Sequence, residues 1–169
     1  MELKTYLEHL YNYNYWANKR YVAVAETLTK EQLFHKHGHS WESVHNVLVH
    51  MMSSEQMWRL RWLGEPAPTL NAEDFSDVDS IKTYWVDVEK NMREFIAQQS
   101  EQSLIKDTSY TNPKGETFTL PLWQMMAQPP NHNTHHRGEL AAMFALMNVA
   151  HPEEEIIQYF LNVSGQKHF

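Results

Sequence analysis

Apolar and polar positions along the chain follow a helical period in four long stretches. The first runs from about Leu3 to Leu28, contains no Gly or Pro, and repeats aliphatic and aromatic residues every three or four positions. The second runs from Trp41 to Leu63, with Ser40 as its predicted N-cap and Gly64 at its end. Both stretches predict amphipathic helices.

Two further long helices are predicted in the second half of the chain. One begins near Asp77 or Asp79, where an acidic residue suits the helix dipole, and its apolar period continues through Ile96. The other runs from about Leu120 to Val149 and is predicted to break or kink at Pro129-Pro130, because proline removes a backbone donor. A short terminal helix is predicted after Pro152.

The connecting segments predict one small hairpin. Residues 29–40 read as a loop with at most a short helical turn, whereas SYTNPKGETFTL, residues 109–120, alternates polar with aromatic and β-branched residues around an Asn-Pro-Lys-Gly turn. The predicted fold class is therefore all-α. It is a single domain, residues 1–169, built as a four-helix bundle with a β-hairpin before the fourth long helix and a short C-terminal helix. The pattern leaves the bundle topology open.

Composition and charge narrow the function classes. The net charge is -7, from 14 basic and 21 acidic residues, and no basic run offsets it, which argues against a nucleic-acid module. Cysteine is absent, so histidine and carboxylates are the available metal ligands, and any thiol chemistry needs a thiol from a substrate. No signal-type or membrane-spanning apolar run occurs, and we therefore expect a cytoplasmic protein without a membrane partner.

Two of the 11 histidines stand four positions apart in NHNTHHRGEL, residues 131–140. On a continuous helix, His132 and His136 lie on one face and can direct ring nitrogens at one ion, while His135 is predicted to point elsewhere. A pair with this spacing also occurs on solvated helix faces. The spacing alone therefore does not establish a metal site.

A third ligand has to come from another helix, because metal sites in bundles are built from side chains on facing helices. His50 is the only histidine well inside the second predicted helix. Its direction on the helical wheel lies away from the mean apolar direction of that helix, so periodicity alone would place it at a boundary or on the surface. The pattern therefore nominates His50 only weakly.

Three segments together resemble a known family: YNYNYWANKRYVAVAETLTKEQL, SVHNVLVHMMSSEQMW and NHNTHHRGELAAMFALMNVAHP. The resemblance is to the DinB/YfiT-like family of metal-binding four-helix bundles, and it spans nearly the whole chain. In that family, one histidine from the second helix and two from an N-H-x-x-x-H-R-G motif ligate a divalent metal. The resemblance therefore implies His50, His132 and His136 as ligands, with a coordination position left for water or substrate.

The resemblance also implies a range of functions. Nickel, zinc or iron would fit three imidazoles, which discriminate poorly among these ions. Relatives include metal-dependent hydrolases and S-transferases that use low-molecular-weight thiols such as bacillithiol or mycothiol, so the resemblance implies a small-molecule substrate, with such a thiol among the candidates. A homodimer is expected. The alternatives are a non-catalytic metal-binding or stress-response bundle and a degenerate bundle without metal.

The chain departs from the family at Gln128-Pro129-Pro130, where members often carry apolar residues and commonly another histidine. Two prolines disfavour a helical conformation before them, so the helix could be interrupted just before His132. A helix that restarts at Pro130 or Asn131 would keep the two histidines aligned. If the restart fails, the ligand geometry fails with it.

From the sequence alone, the charged residues near the proposed ligands have simple structural interpretations. Arg137 is expected to pair with a nearby acid or to bind a substrate carboxylate, and Glu139 is expected to point around the helix from His136. Glu55 could orient a ligand or act in acid–base chemistry, although a solvated or salt-bridged glutamate is the simpler interpretation.

The aromatic residues and a second group of histidines each have a functional and a structural interpretation. Tyr11, Tyr13, Tyr15 and Trp16, with Trp58 and Trp62, could line a pocket above the metal or form a dimer face, but core packing is the simpler interpretation. His35, His37 and His39 alternate like a metal-binding tract, yet the intervening Lys and Gly favour an exposed loop.

Overall fold

The computed structural model describes residues 2–112, 114–153 and 155–166. In chain order its helices and strands are α1 (Leu3–Ala25), α2 (Lys30–Phe34), α3 (Val44–Leu63), α4 (Val78–Ala97), α5 (Glu101–Ile105), β1 (Asp107–Thr111), β2 (Thr117–Pro121), α6 (Leu122–Met126), α7 (Gln128–Leu146) and α8 (Ile156–Val163). A 3-10 turn at Ala72–Asp74 precedes α4. The predicted all-α class with one hairpin and a short terminal helix is confirmed.

Four long helices, α1, α3, α4 and α7, form the bundle. Helix α1 packs against α4 and α7, and α3 packs against the same two helices. The first and second long helices of the chain therefore lie on a diagonal rather than side by side. The sequence pattern left this topology open. With α1 and α3 on a diagonal, side chains of these two helices point at each other across the bundle centre.

The start of α3 differs from the prediction. Ser43, not Ser40, is the N-cap, and its hydroxyl accepts a hydrogen bond from the Asn46 amide at 3.2 Å. Ser40 cannot serve as the cap because its backbone is left-handed, with φ 50°, and Trp41 consequently lies in a loop instead of on the helix. The other end agrees with the prediction, since Gly64 closes α3 with φ 70°.

The fourth predicted helix is divided at a different residue from the one expected. The break falls at Ala127, between α6 and α7, and both prolines lie inside the first turn of α7. A proline there costs little because the first amides of a helix have no intrahelical partner. His132 and His136 therefore belong to one continuous helix, which ends at Leu146 rather than Val149.

The hairpin pairs β1 with β2 in an antiparallel register, with Tyr110 opposite Phe118. Pro113, predicted at the second position of the turn, lies outside the described residues, whereas Gly115 has the left-handed conformation that the turn chemistry suggests, with φ 82°. The pattern did not predict α5, a single capped turn that begins after Ser100.

The aromatic residues of α1 belong largely to the core. Tyr11, Tyr13 and Tyr15 are buried in the single chain, so an outward-facing dimer surface made of these tyrosines is wrong. Tyr11 also donates its hydroxyl to the Met126 carbonyl at 2.9 Å, which ties α1 to the end of α6. None of the described helices combines the length and the apolar character that a membrane crossing requires.

A single buried carboxylate connects all four long helices. Oε1 of Glu55 on α3 accepts hydrogen bonds from the side-chain amides of Asn14 and Asn18 on α1, at 2.9 and 3.2 Å, and from Asn133 on α7 at 2.5 Å. Oε2 accepts from the Trp85 indole on α4 at 3.3 Å. Glu55 is fully buried, so its interpretation as a solvated or salt-bridged glutamate is wrong.

The same amides bring a buried cation into this cluster. Arg137 on α7 is fully buried and donates to Oδ1 of Asn14 at 3.1 Å and to Oδ1 of Asn18 at 2.7 Å. Each asparagine thus accepts from the guanidinium and donates to the Glu55 carboxylate. We call Glu55, Asn14, Asn18, Asn133, Trp85 and Arg137 the polar cluster.

Burial and hydrogen bonding act on Glu55 in opposite directions. Burial is the larger effect: it raises the pKa of Glu55 to about 7 even though hydrogen bonds from Asn14, Trp85 and Asn133 act to lower it. All four of its hydrogen-bond partners donate, so the ionised carboxylate is the form that this arrangement satisfies.

Glu55→Gln should destabilise the metal-free protein by about 1–3 kcal/mol, the cost of leaving buried polar groups unsatisfied. A glutamine keeps one acceptor oxygen and turns the other into a donor that faces donors. Urea unfolding of the variant and the wild type in the presence of a chelator measures the difference. Glu94→Gln, an exchange at an exposed position of α4, is the matched control. Equal stability of both variants would contradict the role given to Glu55.

Candidate metal centre

Three histidine side chains meet between α3 and α7. Nε2 of His132 lies 3.0 Å from Nε2 of His50 and 3.1 Å from Nε2 of His136. His132 and His136 stand one helical turn apart on α7, and His50 faces them from the middle of α3. The structure therefore brings together the three residues that the resemblance nominated, including the one that periodicity placed at a boundary.

Glu139 fixes the orientation of His136. Its Oε2 lies 2.7 Å from Nδ1 of His136, and a neutral imidazole that donates from Nδ1 presents a lone pair at Nε2. The expectation that Glu139 points around the helix from His136 is wrong, because a separation of three residues keeps both side chains on one face. Glu139 thus gives His136 the tautomer that a metal ligand needs.

Electrostatics favour the neutral form of two rings of the triad. Burial, with smaller contributions from His132 and His136, lowers the pKa of His50 to about 3. Burial likewise lowers the pKa of His132 to about 4, with His136 acting in the same direction. Neutral imidazoles bind metal ions, so these two rings need not lose a proton first at neutral pH.

The spacing of the nitrogens fits a metal ion. Ligands at the usual Zn–N length in a tetrahedral site lie about 3.3 Å apart, within a few tenths of an ångström of the two separations measured from His132; all three ligand atoms lie within 4.8 Å of one another. Three nitrogen ligands leave a further coordination position, as in catalytic sites.

The polar cluster holds the ligand-bearing face of α7 in place. Asn133 and Arg137 each follow a ligand by one residue and are four residues apart, like the ligands themselves. Because Asn133 binds Glu55 and Arg137 binds Asn14 and Asn18, the rotation of α7 about its axis is set by contacts to α3 and α1. In these contacts Arg137 donates to asparagine oxygens, and its expected pairing with a nearby acid stays a prediction.

Trp41 covers one side of the triad. Its ring lies over His50 with centroids 3.9 Å apart and an interplanar angle of 20°, a stacked arrangement. The residue belongs to the loop between α2 and α3 and is 46% exposed. The aromatic neighbour of the centre is thus Trp41, whereas the predicted pocket aromatics Tyr11 and Tyr15 lie in the core.

A second group of possible ligands shares His136 with the triad. Donor atoms of His135, His136 and Glu139 lie within 4.8 Å of one another, and the His135 side chain is exposed. This group offers one buried ring, whereas the triad offers three that are at least half-buried. In the described residues no group of three or more ligands includes His35, His37 or His39.

Sequence reasoning missed the residues that support the ligands. Glu139 could have been found from its three-residue separation from His136, which places a carboxylate beside a ring nitrogen on a helix. Glu55 and Trp41 carried no comparable signal. Their roles depend on Asn133, on the α1 asparagines and on a loop conformation, none of which a helical period reveals.

Comparisons with known proteins agree with this fold. The profile of the DinB family matches residues 1–159. Protein DinB of Bacillus subtilis strain 168 is 27% identical over 143 residues, which cover 79% of this chain and 81% of that protein.

Solved structures of bacillus proteins share the architecture. A DinB-like protein from Bacillus cereus ATCC 10987 superposes with a TM-score of 0.61 at 16% identity and covers 82% of this chain and 91% of its own. YfiT from Bacillus subtilis, described as a probable metal-dependent hydrolase with an unusual four-helix bundle topology, gives 0.60 at 12% identity and covers 85% of this chain and 89% of its own. At these identities the likeness shows the fold alone.

Glu139→Gln should weaken binding of a divalent metal about tenfold, the lower end of the effect of losing a carboxylate behind a ligating histidine. Titration with Zn²⁺ by calorimetry measures the affinity. His135→Ala is the control, because that ring does not belong to the triad. A loss of affinity in His135→Ala comparable to that in Glu139→Gln would place the ion at the second group instead, because both residues are ligands there.

Acid should destabilise the metal-free protein through His50 and His132. The pKa of each ring is lower in the folded protein than the ordinary value of 6.5, so below that pH the unfolded chain binds more protons. The fold therefore loses stability down to about pH 4 through His132 and about pH 3 through His50. A His50→Gln, His132→Gln double variant should lose less stability over the same range. Urea unfolding at about pH 6.5 and 5 in a chelator tests this; identical losses would contradict it.

Proposed function

The chain belongs to the DinB family, and from that premise we propose that it is a metal-dependent enzyme whose divalent ion is held by His50, His132 and His136. The observation that carries the proposal is the convergence of three Nε2 atoms from two helices, 3.0 and 3.1 Å apart along the triad. Nickel, zinc and iron all suit three imidazoles.

The reaction we propose is hydrolysis of a small molecule. A divalent ion in such a site supplies Lewis acidity and makes a water nucleophile available near neutral pH. The hydrolase description of YfiT, a protein of the same fold, supports this choice over other metal chemistry.

The chain's own groups supply orientation and exclusion of water. Glu139 holds the proton on Nδ1 of His136, so the opposite nitrogen stays a lone-pair donor. Trp41 lies against His50 and shields one face of that ring from solvent. The polar cluster fixes α7 against α1 and α3, so His132 and His136 need little rearrangement to bind.

The thiol S-transferase remains the alternative reaction, since a three-histidine ion would also lower the pKa of a thiol brought by a substrate. A non-catalytic metal-binding or stress-response bundle is the rival class. The case for a degenerate bundle without metal rested on an interruption of the helix at Pro129 and Pro130. These prolines lie in the first turn of α7 and do not separate His132 from His136. A cytoplasmic location and a homodimer stay predictions.

Elemental analysis tests the metal centre. Protein purified without a metal-affinity tag should contain close to one divalent ion per chain, and His50→Ala, His132→Ala and His136→Ala should each lose most of it. His151→Ala, a change at an exposed histidine, is the matched control. Equal metal content in all five proteins would refute the assignment.

An activity panel then separates the function classes. The metal-loaded wild type should hydrolyse members of an ester and amide panel, and the His136→Ala variant should not. Conjugation of a low-molecular-weight thiol to an electrophile without hydrolysis would replace the hydrolase proposal by the transferase. Inactivity in both assays with metal bound would favour the non-catalytic bundle.

A further inference from the structure

We propose that the loop between α2 and α3 is a clamp on the metal centre and that its Trp41 determines which ligands reach the open coordination position. The loop covers residues 35–42, and the inference rests on the proposed metal site. Four features carry it: the stacking of Trp41 on His50, the backbone of the loop, a hydrogen bond from Ser40 to Glu139, and the position of Trp41 outside the core.

The contact with His50 is the main interaction that explains the position of Trp41. It is 46% exposed and belongs to none of the buried apolar clusters of the described residues, yet its ring lies flat on the imidazole at a centroid distance of 3.9 Å. Burial of apolar surface would favour an inward position for so large a side chain. Contact with a ring of the triad is thus its principal described interaction.

The backbone on both sides of Trp41 is unusual. Ser40 and Glu42 have positive φ angles of 50° and 68°, and Gly38 has 77°. Residues other than glycine rarely adopt this region, and such conformations persist where surrounding contacts enforce them, often at functional sites. The loop has such contacts, because the His37 amide donates to the Glu42 carbonyl at 2.7 Å and the Glu42 amide donates to the His39 carbonyl at 2.9 Å.

A side-chain hydrogen bond fastens the loop to the opposite helix. The Ser40 hydroxyl donates to Oε2 of Glu139 at 2.8 Å, and the same oxygen lies 2.7 Å from Nδ1 of His136. Adjacent loop residues therefore contact His50 on α3 and the carboxylate that orients His136 on α7. The loop spans the centre and links two of the three ligands.

This arrangement restricts the approach to the ion. The Trp41 ring forms a wall beside His50, and the Ser40 hydrogen bond ties the loop to Glu139 on α7. Small ligands should pass this wall, whereas ligands with a bulky group next to the donor atom should collide with it. Trp41 acts in this way as a specificity-determining residue without binding the ion.

The binding of two carboxylates of equal charge and different bulk tests whether Trp41 restricts access to the ion. With Co²⁺ as the probe metal, visible absorption reports acetate and pivalate affinities, and the wild type should prefer acetate. Trp41→Ala should reduce that preference about fivefold, and Trp41→Phe, which keeps a flat ring, should reduce it less. A preference that is unchanged in Trp41→Ala would overturn the role of Trp41. Failure of the wild type to bind Co²⁺ would overturn the metal centre and the access role with it.

Hydrogen exchange of the metal-free protein tests the clamp independently of any ion. Ser40→Ala removes the hydrogen bond to Glu139, so amide exchange of Glu42 should accelerate about tenfold, the usual effect of losing a hydrogen bond to a charged group. Ser109→Ala, which removes an exposed hydroxyl bond to Thr119 in the hairpin, is the matched control and should leave the loop unchanged. Equal exchange in wild type and Ser40→Ala would overturn the clamp even if the metal centre exists.

Discussion

The Glu55 carboxylate is the constraint on which the arrangement of the four long helices depends. Removing a charge from water is costly unless hydrogen bonds replace the solvent, and here α1, α4 and α7 each supply donors to the one acceptor on α3. Apolar packing alone would tolerate small rotations of the helices. A carboxylate with four donors is satisfied in one register, so the polar cluster selects that register.

The register fixed by the polar cluster also positions the metal ligands on α7. The ligands of α7 stand one residue before Asn133 and Arg137, whose contacts to Glu55 and the α1 asparagines prevent the helix from turning. The rings are then held individually, His136 by Glu139 and His50 by the stacked Trp41. Buried polar groups thus fix the positions of the helices, and half-buried groups fix the orientations of the ligand rings. A preorganised site requires both kinds of support.

Helical periodicity predicted the long helices because each buries one face of its own sequence. It misplaced the start of α3 by three residues, because the backbone at Ser40 is left-handed. It misplaced the break before α7 by two residues: Ala127 keeps a right-handed backbone, and the hydrogen bonding is interrupted there because Pro129 and Pro130 have no amide donors. The ligand set came from the resemblance, and His50 would not have been chosen from its helix alone. Glu55 and Trp41 acquire their roles only through residues distant in sequence, which no local pattern contains.

Anomalous diffraction from crystals of the metal-loaded protein tests the central claim most directly. A transition ion should give one strong peak in contact with Nε2 of His50, His132 and His136, on the side of the triad left open by Trp41 and the polar cluster. A peak held instead by His135 and Glu139, at the second donor group, would contradict the account. So would crystals in which the three Nε2 atoms remain together and no ion lies among them.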